Sequence, residues 1–185
     1  MKLKENSQAD TVRNQKKSLK ALPPRPKSKV FCINKCLSVQ RPYFESINPD
    51  DKYYVESFRM ARYALVTVLG LKGAASMYYR SGYELGKRFV ELGFIKSVDD
   101  LFNKFHESRL GLITVVKDTE NEKIVDIYEC ISGSGLPNIG MPVCHFEAGI
   151  LAGIFTKLTQ KQHHAIETHC WATGYTTCRI KIYPE

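Results

Sequence analysis

The sequence has little of what would tie it to a membrane interior or a secretory route. Its longest apolar stretch, Tyr63 to Leu71, is nine residues, well short of the ~20 that a spanning helix needs. No apolar leader segment follows Met1, so no signal peptide is read and a cytoplasmic location is expected. Tryptophan occurs once, as Trp171. Acid is scarce at the start: residues 1–30 hold nine Lys/Arg but only Glu5 and Asp10, a net +7. The remaining 155 residues hold 18 basic and 17 acidic side chains, a net +1. The formal charge of +8 therefore belongs to the tail. A near-neutral body lacks the basic face that direct nucleic-acid binding requires, and none is expected.

What is present reads as a basic disordered arm over residues 1–30, a linker or N-terminal cap over 31–49, and one domain over 50–185. The arm ends in Leu-Pro-Pro-Arg-Pro, a short polyproline-like exit. Its expected partners are an anionic membrane surface or an acidic protein, which would make the protein peripheral to a membrane. Asn48-Pro49-Asp50-Asp51 starts a helix predicted over about 50–70. Gly73 then opens a second helix that ends at Gly93, and Ser97-Val98-Asp99-Asp100 caps a short third one. Leu112–Val116 and Ile124–Ile127 form a predicted hairpin, and Gly133-Ser134-Gly135 with Pro137 a flexible loop. Cys144–Leu158 is a predicted helix. His164–Ala172 and Thr176–Tyr183 form a second hairpin about Gly174. Gly82 and Gly86, like Gly149 and Gly153, lie four apart and permit close helix approach. The expected fold class is α+β, an antiparallel sheet of about four strands packed against helices.

Six cysteines without a secretory signal point to metal binding or free thiols. Cys170 and Cys178 are symmetric about Gly174. If the hairpin turns there, they oppose one another with Cβ atoms about 4.5–5.5 Å apart, and their sulfurs can share a tetrahedral metal. Cys144 begins a helix, where a thiolate is favoured. His145, His164, Glu167 and His169 compete for a fourth position. On a regular strand Glu167 and His169 face away from Cys170, and His164 is about 20 Å distant. Only a bulge before Cys170 brings Glu167 or His169 round. Spacing leaves a metal, free thiols and a disulfide all open. Cys32-x-x-x-Cys36 is a weaker pattern, and Cys130 reads as core.

Pro142-Val143-Cys144-His145-Phe146-Glu147-Ala148-Gly149, Ala152-Gly153, and Glu167-Thr168-His169-Cys170-Trp171-Ala172-Thr173-Gly174 followed by Cys178 resemble the 4-vinyl-reductase-type, or hydrocarbon-binding, domain. That family is similar in fold to the trafficking (TRAPP) subunits and is often dimeric. Its members include sensor domains of aromatic-responsive regulators and proteins linked to tetrapyrrole pigment synthesis and photosystem assembly. The resemblance implies a zinc ion held by Cys144, Glu167, Cys170 and Cys178. Four protein ligands close a zinc site, which makes its role structural.

The expected function follows: a non-catalytic domain in which zinc fixes one end, and an apolar pocket between helices and sheet holds a hydrophobic small molecule such as a tetrapyrrole precursor. Tyr78, Tyr79, Tyr83 and Phe89 are the candidate lining. The alternative is a scaffold or assembly factor, a homodimer built on the 50–92 helices and docked through the basic arm. A tetrapyrrole reductase is a third reading. Ser132 and Ser134 have no base beside them in the sequence, and Gly133-x-Gly135 lacks the context of a dinucleotide fingerprint.

Overall fold

The computed structural model describes residues 24–27 and 33–185. Short helices α1 (Ile33–Cys36) and α2 (Pro42–Ile47) lead into the long α3 (Asp51–Glu91), then α4 (Val98–Glu107). Strands β1 (Leu112–Asp118) and β2 (Lys123–Tyr128) follow. Next come α5 (His145–Thr159), β3 (His163–His169), a 3-10 turn at Trp171–Thr173 and β4 (Cys178–Pro184). The four strands form one antiparallel sheet in the order β1-β2-β4-β3.

Local chemistry explains the boundaries. Ser97 accepts a hydrogen bond from the Asp100 backbone N–H, capping α4. The 50–92 region is one helical element with a break at Gly70, which adopts φ 69° and ψ 172°. The break expected at Gly73 thus sits three residues earlier, at the glycine whose positive φ no helix accommodates. Every residue of α5 from Glu147 to Phe155 is buried, because the helix is sandwiched between α3 and the sheet. Ile150, Leu151 and Ile154 meet Val125 and Ile127 of β2 and Ile180 and Ile182 of β4 in one core.

The α3–α5 contact rests on the two glycine pairs. A Cβ on Gly82 or Gly86 would meet Phe146 O or Ile150 O at 2.2 Å. A Cβ on Gly149 or Gly153 would meet Tyr79 O or Tyr83 O at 2.1 Å. Each helix lays its backbone against the other's glycines, which brings their axes close.

Residues before α3 are tied to the domain by Arg41, which is fully buried. It donates to Glu129 O and Arg109 O and pairs with Asp51 at 3.0 Å. Of the segment read as a basic arm, only residues 24–27 are described, and Arg25 lies on the domain. Its backbone N–H donates to Gly174 O at 2.8 Å, and its guanidinium donates to Trp171 O at 2.7 Å and lies over the Trp171 ring. The rest of the arm, and Cys32, fall outside the described residues.

Candidate metal centre and ligand cavity

The second hairpin departs from the expected form in a way that builds the site. β3 ends at His169, and Cys170 caps the 3-10 turn rather than continuing the strand to Ala172. Pairing of β3 with β4 runs His169↔Arg179 and then Glu167↔Ile180, so a bulge lies between Glu167 and His169. The extra residue turns Glu167 toward the face that holds Cys170. Cys178 begins β4 opposite Ile127 of β2, so it does not sit across a ladder rung from Cys170. Cys144 arrives from the start of α5.

These four residues converge. The ligand atoms of Cys144, Glu167, Cys170 and Cys178 all lie within 4.8 Å of one another. The Cys144 sulfur is 3.2 Å from that of Cys178 and 4.0 Å from that of Cys170. A tetrahedral zinc with Zn–S near 2.3 Å sets sulfurs about 3.8 Å apart, so a small adjustment accommodates the ion. The carboxylate is already aimed. Glu167 Oε2 accepts hydrogen bonds from the backbone N–H groups of Val143 and Cys144 at 3.0 and 2.8 Å. Its other oxygen, Oε1, is buried with no hydrogen-bond partner, the state of a lone pair reserved for a cation. Gly133 closes the wall: a Cβ there would lie 3.1 Å from the Cys178 sulfur and 3.3 Å from that of Cys144. The donor set therefore fits a metal of zinc's kind, and the histidines do not join it. His145 lines a cavity, His164 stacks on Tyr183, and His169 stacks on Tyr175.

Electrostatics favour the same view. Burial pushes the Cys144 and Cys178 thiols and the Glu167 carboxyl well above their usual ranges. At Cys170 and Cys130 burial acts in the same direction, but hydrogen bonds from neighbouring thiols outweigh it and hold both well below. So many buried acids in contact cannot all ionise without a cation among them.

Two participants went unread in the sequence. Cys130 is in the core, as expected, yet its sulfur is also 3.4 Å from that of Cys144 and 3.1 Å from Glu147 Oε1. Glu147 is fully buried and accepts from the Ser132 hydroxyl at 2.9 Å and the Ser132 N–H at 3.2 Å. Burial raises its pKa well above normal, so it sits there protonated. The signal was available: Glu147 is three residues after Cys144, on the same helical face. Cys130, Cys144 and Glu147 form a second group able to hold a metal. The loop read as flexible is instead buried at Ser132, Gly133 and Ser134, its small residues fitted around the sulfurs.

The vinyl-4-reductase domain family matches residues 124–184, from β2 to the end of β4. Protein MJ1642 of Methanocaldococcus jannaschii is 42% identical over 129 residues, which cover 69% of this chain and 76% of that protein. The chain belongs to the vinyl-4-reductase domain family. Two solved structures share its fold. The phenol-responsive sensory domain of the transcription activator PoxR, solved with phenol, has a TM-score of 0.58 and 19% identity, covering 70% of this chain and 74% of that one. A trafficking protein particle complex subunit 3 from Naegleria fowleri, covalently bound to palmitic acid, has a TM-score of 0.50 and 14% identity, covering 72% and 96%.

In this vinyl-4-reductase domain a cavity of about 330 Å³ opens beside the metal-ligating cluster. Its walls come from both sides of the Gly70 break in α3, including Arg59, Val66, Leu71 and Ala75. The facing wall is the 132–145 segment, including Ser132, Leu136, Ile139 and Val143. The cavity thus lies between α3 and a loop rather than between helices and sheet. The tyrosines and phenylalanine expected to line it do not: Tyr79, Tyr83 and Phe89 pack on the core, and Tyr78 stacks on Phe58 and Phe146. No helix among the described residues is long and apolar enough to cross a membrane.

Proposed function

We propose that this vinyl-4-reductase domain is a non-catalytic small-molecule-binding module in which a structural zinc, held by Cys144, Glu167, Cys170 and Cys178, fixes the wall of an apolar ligand cavity. The observation that carries this reading is the shared segment. Residues 132–145 line the cavity with Ser132, Ile139, Val143 and His145 and supply Cys144 to the metal-ligating group. A metal at that group ties the cavity wall to β3 and β4, so occupancy of either site bears on the other. The sensory domain that shares this fold was solved with phenol, and the trafficking subunit with palmitic acid, which supports a hydrophobic ligand here. Tetrapyrrole precursors are one class to screen.

The test is extraction of ligand from the purified full chain with mass spectrometry, alongside thermal shift with phenols, fatty acyl compounds and tetrapyrrole precursors. A bound apolar molecule or a ligand-dependent rise in Tm is expected. An empty protein that no member of these classes stabilises contradicts the reading.

A second reading, a homodimeric scaffold, is favoured by the outer face of α3. Tyr53, Met60, Val68, Leu71 and Met77 are exposed there, Val68 at 79%, an apolar face of the kind that marks an interface. Sedimentation of the full chain against Val68→Glu tests it: a dimer that the substitution dissociates supports the scaffold. Docking of the basic arm to an anionic membrane or an acidic protein belongs to this reading, and deletion of residues 1–23 should abolish it.

A further inference from the structure

The cavity is apolar in its walls but not neutral in charge. Arg59, Arg62 and Lys72 all line it, and no Asp or Glu does. The three cations differ in how they are used. Arg59 is buried and fully occupied, donating to Ile131 O, Ser38 O and Ser134 O at 2.6 to 3.0 Å. Arg62 is half-buried, its guanidinium 5.4 Å from the Tyr78 ring centre. Lys72 is exposed and marks the solvent side. Among the described residues neither Arg62 nor Lys72 forms an ion pair, although most other basic side chains of the domain do. Two unpaired cations at the mouth of an apolar cavity are complementary to a ligand whose body is apolar and whose exposed end is negative.

We propose that the cavity takes an amphiphilic monoanion, its apolar body seated against Val66, Ala75, Ile139 and Val143 and its carboxylate-type head held by Arg62 and Lys72. This rests on the cavity being a ligand site. At about 30 Å³ for each water-sized group, 330 Å³ holds roughly eleven non-hydrogen atoms, the size of a medium-length acyl chain or a substituted aromatic acid. The head selects the anion, and the body is limited by length rather than by shape.

Calorimetry on the full chain with sodium decanoate, 1-decanol and decylamine tests the charge separately from the cavity. Decanoate should bind about tenfold or more tightly than decanol, with an affinity that falls as salt rises, and decylamine should bind least. The double substitution Arg62→Gln, Lys72→Gln should bring decanoate to the level of decanol and leave decanol unchanged. Ala75→Trp should abolish both by filling the cavity, with Val66→Phe as the second filling variant if the first does not fold. Equal binding of decanoate and decanol, both lost on filling, overturns the anionic class and leaves the cavity reading standing. No binding of any probe overturns both. Decanoate binding that survives filling places the anion elsewhere and overturns the proposal.

Discussion

Gly149→Ala tests whether the α3–α5 interlock holds the domain together. The added Cβ would lie 2.1 Å from Tyr79 O and 2.9 Å from the Tyr83 nitrogen. A carbon and a carbonyl oxygen in tolerable contact sit about 3.3 Å apart, so the helices must separate by about 1.2 Å. Both atoms in the way are backbone, which cannot rotate aside. Overpacking of this kind costs about 1–3 kcal/mol or more, and replacing a helical glycine by alanine returns at most about 1 kcal/mol. A net loss of about 2 kcal/mol lowers Tm by roughly 4–8 °C in a domain of this size. Gly73→Ala is the control. Its Cβ would meet only the Leu69 Cβ, at 3.1 Å, on an exposed helical face, so it should be neutral or stabilise by up to about 1 kcal/mol. Urea unfolding and calorimetric melting of both variants decide the matter. A Gly149→Ala protein as stable as the parent refutes the interlock.

Other outcomes follow from buried and paired groups. Glu147→Gln should be mild, because the carboxyl is held protonated by burial, whereas Glu147→Ala strands the Ser132 donors and the Cys130 thiol and should cost about 3 kcal/mol in denaturant unfolding. Arg25→Ala should leave the domain folded and remove amide protection at position 25, read by hydrogen exchange, since the side chain's bonds to Trp171 O and Gly174 O hold that segment. Glu122, hydrogen-bonded to Lys117 and Lys181, has its pKa lowered to about 2. A depressed carboxyl stabilises the fold above its unfolded pKa of about 4.5, and that contribution is lost as pH falls through 2. An NMR titration of its carboxyl carbon should show a midpoint near 2, and Glu122→Gln should flatten the acid limb of stability.

Much of this architecture was legible in the sequence. The antiparallel sheet, the α5 helix and the Ser97 cap follow from periodicity and capping chemistry. The glycine pairs signalled close approach, though not that the two pairs face each other, because spacing along one helix carries no information about its partner. The bulge between Glu167 and His169 was invisible. Strand alternation sent Glu167 to the wrong face, and only the family resemblance chose it. The 132–135 loop was misread because small residues serve equally for mobility and for close fitting around sulfur. The cavity was misplaced because its walls come from segments about seventy residues apart, joined at a helix break that the sequence put at Gly73 rather than Gly70. Aromatic residues drew the eye, and the cations that distinguish the cavity sit singly along α3.

The most direct test of the account is the metal content of the purified full chain, measured by inductively coupled plasma mass spectrometry beside Glu167→Ala, Cys170→Ser and Cys130→Ser. The account predicts about one zinc per chain, retained in Cys130→Ser. It predicts loss in Cys170→Ser together with several kcal/mol of stability, since metal affinity contributes directly to folding, and weakened binding in Glu167→Ala. A parent protein that is fully folded without metal, or a Cys170→Ser protein that keeps its zinc and its stability, would contradict it.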